Sequence, residues 1–282
     1  MSIRQTLLYV TTFPDPPPVS LLEGAVTVAA LLKSALTVQA PELDSDPATW
    51  RPVMGGFAAD YMQVMAEIAA DSKRYAAAAC ETATRLCKDR KVGLDLRRGL
   101  TQFNAPAAGM VELARLHDLL ILPAPGPDTI DHSLLHAAIF QSGRPVLLLP
   151  PERPALREIA RAVVAWDGSR EAARALKDAM PLLALADDIH IVNITGEAGK
   201  PVSTTATDLE KFMGAHGLSF SFHREEKQFT PVGERLLNHA AAIRADLLVM
   251  GAYGHSRMAE FILGGATRGV LKNPPLPVLL SH

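Results

Sequence analysis

Three glycines, Gly251, Gly254 and Gly264, have the types and spacing that could do chemistry. A short apolar run, Leu247 to Met250, stands ahead of them, and Gly265-Ala266-Thr267 follows. Glycine admits a ligand where a Cβ would otherwise stand, and it tolerates positive φ. Ala266 to Lys272 reads as a helix, whose N-terminus offers unpaired N–H groups and the positive end of the macrodipole. Strand, glycine loop and helix start, in that order, could cradle a nucleotide phosphate at the carboxyl edge of a parallel sheet. Two tight turns around a surface loop would use the same glycines, and spacing alone leaves both readings open.

Other motifs are thin. Gly254-His255-Ser256-Arg257-Met258 misses the nucleophile elbow G-x-S-x-G at its last position. No stretch matches the P-loop pattern. His132 and His136 share a helix face but lack the glutamate of a zincin, so packed or solvated histidines are expected there. Cys80 and Cys87 lie two helical turns apart, roughly 10 Å of rise, too far for a disulfide. Packing is their expected role, and no catalytic residue is assigned.

The elements that must position the glycine loop follow from periodicity. The first half gives strands at Arg4–Thr12, Ala35–Ala40, Gly93–Leu100, Asp118–Leu122 and Arg144–Leu149. Between them lie helices from Ser20, which can cap the first of them, to Lys33, from Phe57 to Lys88, from Pro106 to Leu116 and from Ser133 to Gln141. The segment 41–52 is expected to be loop. Pro150-Pro151-Glu152-Arg153-Pro154 is a linker by composition. The pattern then repeats, with strands at Ile159–Trp166, Asp188–Ile194, Leu218–Arg224, Leu247–Met250 and Pro277–Leu280. Its helices are expected at Glu171–Leu185, Ser203–Ala215 and Pro231–Ile243, with a last one opening at Ala266. Ser169 is the natural N-cap after the turn at Asp167-Gly168.

The halves match in words as well as in pattern. Asp118-Leu119-Leu120-Ile121 parallels Asp246-Leu247-Leu248-Val249, and Arg144-Pro145-Val146-Leu147-Leu148 parallels Leu276-Pro277-Val278-Leu279-Leu280. This predicts a duplicated α/β chain, with one domain over 1–150 and a second over 155–282. Each would be an open parallel five-stranded sheet with helices on both faces. The last strands would pair the halves as a pseudo-dimer, since each otherwise leaves an apolar edge.

The chain has 282 residues, 48% of them apolar and 5% aromatic, which suits Ala-, Leu- and Val-rich helices on a parallel sheet. A formal net charge of −2 gives no bulk attraction to nucleic acid or an anionic membrane. No apolar run approaches the ~18 residues of a spanning helix. Without a signal-peptide layout at its start, the chain is expected in the cytoplasm.

Gly251-x2-Gly254-x9-Gly264, with the strand before it and Pro277-Val278-Leu279-Leu280 after it, resembles the nucleotide loop of the universal stress protein family. The resemblance covers nearly the whole chain, strongly in the second half and weakly in the first. It implies that ATP or a related adenine nucleotide binds in the second half, with magnesium accompanying a triphosphate. Asp167 would contact ribose or base, and Ile194 would lie beside adenine, with Met250 beneath the ligand. Gly251, Gly254, Gly264, Gly265, Ala266 and Thr267 would surround phosphate, and His255 or Arg257 would supply charge. The family places Ser or Thr where this chain has Gly265. In the first half Pro123-Ala124-Pro125-Gly126-Pro127 removes N–H donors, so that copy is read as degenerate. The resemblance also implies a homodimer, and a ligand-free dimeric interaction protein is the alternative reading.

Overall fold

The computed structural model describes residues 2–44, 46, 58–102, 107–126, 133–151, 156–195, 206–226, 229–252 and 265–282. The first half runs β1 Gln5–Tyr9, α1 Val19–Leu32, β2 Ala35–Gln39, β3 Glu42–Leu43, α2 Ala58–Arg90, β4 Leu94–Arg97, β5 Leu100–Thr101, α3 Ala108–Ala114, β6 Leu119–Pro123, α4 Ser133–Gln141 and β7 Val146–Leu149. The second runs β8 Arg161–Ala165, α5 Arg170–Leu183, β9 Asp188–Thr195, α6 Ala206–Gly214, β10 Ser221–Glu226, α7 Val232–Ala242, β11 Leu247–Gly251, α8 Gly265–Leu271 and β12 Val278–Ser281.

Each half contributes five strands, and the two sets fuse into one ten-stranded sheet of order β10-β9-β8-β11-β12-β7-β6-β1-β2-β4. Every neighbouring pair in it is parallel except β12 and β7, which run antiparallel with Leu279 opposite Leu147. The pseudo-dimer expected from the last strands is therefore a hydrogen-bonded joint. Both strands are buried along their whole length, so neither leaves the apolar edge that would invite association.

Helices cover both faces, which is why the central strands are continuous apolar runs. One face packs Leu21 of α1, Ala76 of α2, Ala175 of α5 and Leu209 of α6 against the sheet. The other packs Met110 of α3, Leu135 of α4, Leu236 of α7 and Val270 of α8. Each core crosses the joint, with Leu147 and Leu279 on the first face and Leu148 and Leu280 on the second.

The duplicated aspartates have a physical reason. Asp118 Oδ2 accepts the N–H groups of Arg4 and Gln5 at 2.8 and 3.0 Å. Asp246 Oδ2 accepts those of Ala160 and Arg161, both at 2.9 Å. In each half, one carboxylate pins the entry of the first strand to the start of the fourth.

Some expectations differ from the structure. Ser20 lies inside α1, whose N-cap is Pro18; its hydroxyl instead donates to the Pro151 carbonyl, tying the helix to the linker. The third strand breaks after Arg97, and the segment expected to be loop contains β3, which pairs in parallel with β5. Cys80 and Cys87 are free and buried, as packing residues should be. Among the described residues no helix is long and apolar enough to cross a membrane.

Candidate functional site

In the second half β8 lies between β9 and β11. The chain leaves β8 toward β9 and later returns on the other side to β11, so its crossovers diverge above the carboxyl ends of β8 and β11. That divergence opens a crevice, the position where open α/β sheets take ligands. Asp167 follows β8, Ile194 lies at the end of β9, and Met250 and Gly251 end β11. Gly265, Ala266 and Thr267 begin α8. Gly254, His255, Arg257 and Gly264 lie outside the described residues.

The turn after β8 is fixed by local hydrogen bonds. Gly168 takes φ 74°, which favours glycine. Asp167 Oδ1 accepts the Ser169 N–H at 2.9 Å, and Ser169 Oγ accepts the Ala172 N–H at 3.1 Å, capping α5 as expected. Trp166 donates its N–H to the Val192 carbonyl at 2.9 Å, while its own carbonyl accepts from buried Asn193 at 2.7 Å. The ends of β8 and β9 are thereby locked together, and the Asp167 carboxylate stands exposed beside the crevice.

Gly251 has a reason to be glycine that spacing did not disclose. A Cβ there would lie 2.6 Å from the Glu171 carbonyl carbon and 2.7 Å from the Ala172 nitrogen. The first turn of α5 sits directly on the end of β11, so this glycine is required by chain packing whatever binds above it. Met250 is buried in the core under α7 and α8, and half-buried Ile194 packs against that same core.

At the start of α8 the three candidates diverge. Gly265 is exposed, and among the described residues a Cβ added there would meet nothing within 4 Å. Ala266 is half-buried. Thr267 is 3% exposed, so its side chain belongs to the interior rather than to the crevice edge. The seat of α8 rests on a contact that the sequence reading missed. A Cβ on Gly233 of α7 would lie 2.5 Å from the Ala266 carbonyl oxygen and 3.0 Å from Gly269 Cα. The two glycines let α7 and α8 touch backbone to backbone. The signal available was a glycine in the first turn of one helix and another in the middle of the next.

The first half fills the corresponding edge with its own chain. Thr12 and Ser72 are buried and bonded to each other at 2.8 Å, and the Leu43 N–H donates to Ser72 Oγ at 2.9 Å. Leu43, Met65 and Ala69 form a small separate core, with Phe13 and Ile68 against it. The long α2 and the strand β3 thus cap this end of the first sheet. The helix-face pair His132 and His136 is half visible: His132 lies outside the described residues, and His136 packs its ring 4.5 Å from Phe140.

Comparison with known proteins places these features. Residues 158–282 match the model of the universal stress protein family. A universal stress protein of Synechocystis sp. is 28% identical over 139 residues, covering 48% of this chain and 46% of that protein. The chain thus spans about half the length of that curated relative. A universal stress protein of Archaeoglobus fulgidus superposes with TM-score 0.69 at 16% identity, covering 98% of this chain and 95% of that one. A provisionally assigned universal stress protein of Pseudomonas aeruginosa gives TM-score 0.61 at 17% identity, covering 99% and 93%. At these identities the superpositions show a shared fold across both halves.

Proposed function

We propose, from the match of residues 158–282 to the universal stress protein family, that this chain is a member of that family, a stress-response module whose second half binds ATP or a related adenine nucleotide. In this reading residues 1–150 and 155–282 are two domains packed as a pseudo-dimer through β7 and β12, the first structural and the second carrying the ligand. The observation that carries it is the crevice between β8 and β11, with the exposed Asp167 carboxylate on one wall and the start of α8 near the other. Asp167 would accept from ribose hydroxyls or the base amine. Ile194 would line the adenine, with Met250 in the floor. Gly254, Gly264, Gly265 and Ala266 would leave their backbone open to phosphate, with His255 or Arg257 adding charge. Gly251 and Thr267 would support that surface from below. Any further pairing of two chains would use a surface other than β7 and β12, which already bind each other.

The test is Gly265→Ser. A Cβ there meets nothing within 4 Å among the described residues, so the substitution does not crowd α8 or the sheet below it. A hydroxyl on phosphate adds one hydrogen bond to a charged group, about 1.5–3 kcal/mol, or roughly ten- to a hundredfold in affinity. Calorimetry should show that gain for ATP and little of it for adenosine. Equal gains for both would mean that the serine only stiffens the loop. No binding of either ligand to either protein would overturn the proposal in favour of a ligand-free interaction protein.

A further inference from the structure

Away from the crevice, three imidazoles from three different elements converge on one point. His190 is the third residue of β9, His223 the third of β10, and His239 stands in the last turn of α7. The parallel register sets Ser221 beside His190 and His223 beside Val192. Both histidines therefore share the sheet face that α7 covers. His190 Nδ1 and His223 Nε2 are 2.9 Å apart, and their rings stack with centroids 4.9 Å apart. His239 stands edge-on to both, at 5.9 and 4.9 Å. One ring nitrogen from each lies within 4.8 Å of the other two.

The surrounding groups decide what the cluster is for. His239 Nδ1 is held by Glu225 Oε1 at 2.7 Å, while its Nε2 is buried and has no partner among the described residues. Arg235 in turn stands 3.3 Å from the other Glu225 oxygen. A carboxylate holding one imidazole nitrogen, so that the other is aimed at a shared point, is how metal-ligating histidines are oriented. Burial first, and then the facing imidazoles, push His190 and His223 below the ordinary histidine value. Asp188 and Arg161 act in opposite senses on His190, and Glu225 opposes the lowering at His223, without reversing either. A hydrogen-bonded cluster with no ion would explain the His190–His223 contact. It would leave His239 Nε2 orphaned in the interior, a state native proteins avoid.

We propose that His190, His223 and His239 bind one divalent transition-metal ion, with Glu225 positioning His239. Imidazole donors suit zinc, copper and nickel, and three protein ligands on zinc leave a fourth position for water. Around a tetrahedral zinc with bonds of about 2.0–2.1 Å, the nitrogens stand about 3.3 Å apart. The His190–His223 pair must open by a few tenths of an ångström and His239 close by at most roughly 1.5 Å. The ion would clamp the edge strand β10 to β9 and α7. It lies four residues before Ile194 on β9, about 13 Å along the strand from the crevice, so it is a separate site.

The experiment uses the full chain stripped with a chelator and titrated with zinc by calorimetry, and with cobalt by visible absorption. One ion per chain is expected, with cobalt giving d–d bands of a low-coordinate nitrogen site. Glu225→Gln keeps all three imidazoles and should weaken zinc binding about 10- to 100-fold. His239→Asn should weaken it at least tenfold, whereas His216→Asn, outside the cluster, should leave it unchanged. Circular dichroism of each variant separates lost binding from lost folding. The proposal is overturned if neither zinc nor cobalt binds saturably to the folded chain. It is equally overturned if their binding survives His190→Asn combined with His239→Asn.

Discussion

Gly233→Ala tests whether α8 is seated by backbone contact. The new Cβ would meet the Ala266 carbonyl oxygen at 2.5 Å and the Val270 nitrogen at 2.9 Å. Comfortable heavy-atom separations are nearer 3.5 Å, so α8 must retreat from α7 by roughly 1 Å. Both obstacles are backbone atoms, so no side-chain rotation relieves the clash. Overpacking of this kind costs about 1–3 kcal/mol. Alanine gains up to about 1 kcal/mol over glycine in a helix interior, but Gly233 stands in the first turn of α7, where that gain is smaller. The net loss should be about 1–2 kcal/mol, and a domain protein of this size loses roughly 2–4 °C of melting temperature per kcal/mol. Gly269→Ala is the internal control. Its nearest contact is 3.3 Å, to Gly233 Cα, and it sits inside α8, so strain and helix propensity should nearly cancel. Thermal and urea unfolding of the two variants decides the matter. If Gly233→Ala proves as stable as Gly269→Ala, the close approach of α7 and α8 is not what holds α8 in place.

Two further outcomes follow from buried polar groups. Asp246→Ala leaves the Ala160 and Arg161 amides without their acceptor, which should cost about 2–4 kcal/mol in urea unfolding. Asp118→Ala should cost less, because the amides of Arg4 and Gln5 are more exposed and water can replace the carboxylate; an equal or larger loss would refute the comparison. Burial pushes the Cys87 thiol up to about 11, so almost no thiolate forms at pH 8 in the folded chain. Maleimide should therefore label it only after denaturation, and rapid labelling of the native protein would contradict the described burial.

The sequence disclosed the duplication because its cause is local and repeated. Asp118 and Asp246 do the same job at the same register, and both last strands must be apolar on two faces. It disclosed the Asp167-Gly168-Ser169 turn because the cap is made within four residues. What it hid was set by distant chain. Gly251 is glycine because of the first turn of α5, some eighty residues earlier, and no spacing within the glycine loop reports that. Ser20 has the right identity for a cap, yet its hydroxyl is drawn to Pro151 across the fold. His190 and His223 each occupy an inward position where strand alternation calls for an apolar side chain. That mismatch was readable, but their meeting with His239 depends on strand register and on how α7 lies across it.

The antiparallel joint has a consequence for how the two halves could diverge. Because β7 and β12 run in opposite directions, all five strands of one half oppose all five of the other. The carboxyl edges of the two halves therefore face opposite ends of the common sheet. Filling the first edge with Thr12, Ser72, Leu43 and Met65 stabilises that end without touching the crevice between β8 and β11. The joint itself has no such freedom. Val146, Leu147 and Leu148 face Leu280, Leu279 and Val278 in register, and a one-residue slip would exchange the two faces of the core along the strand. Loop chemistry at either edge can change while the pairing cannot, which is the pattern of this chain: last strands alike in words, and opposite edges built from unlike residues.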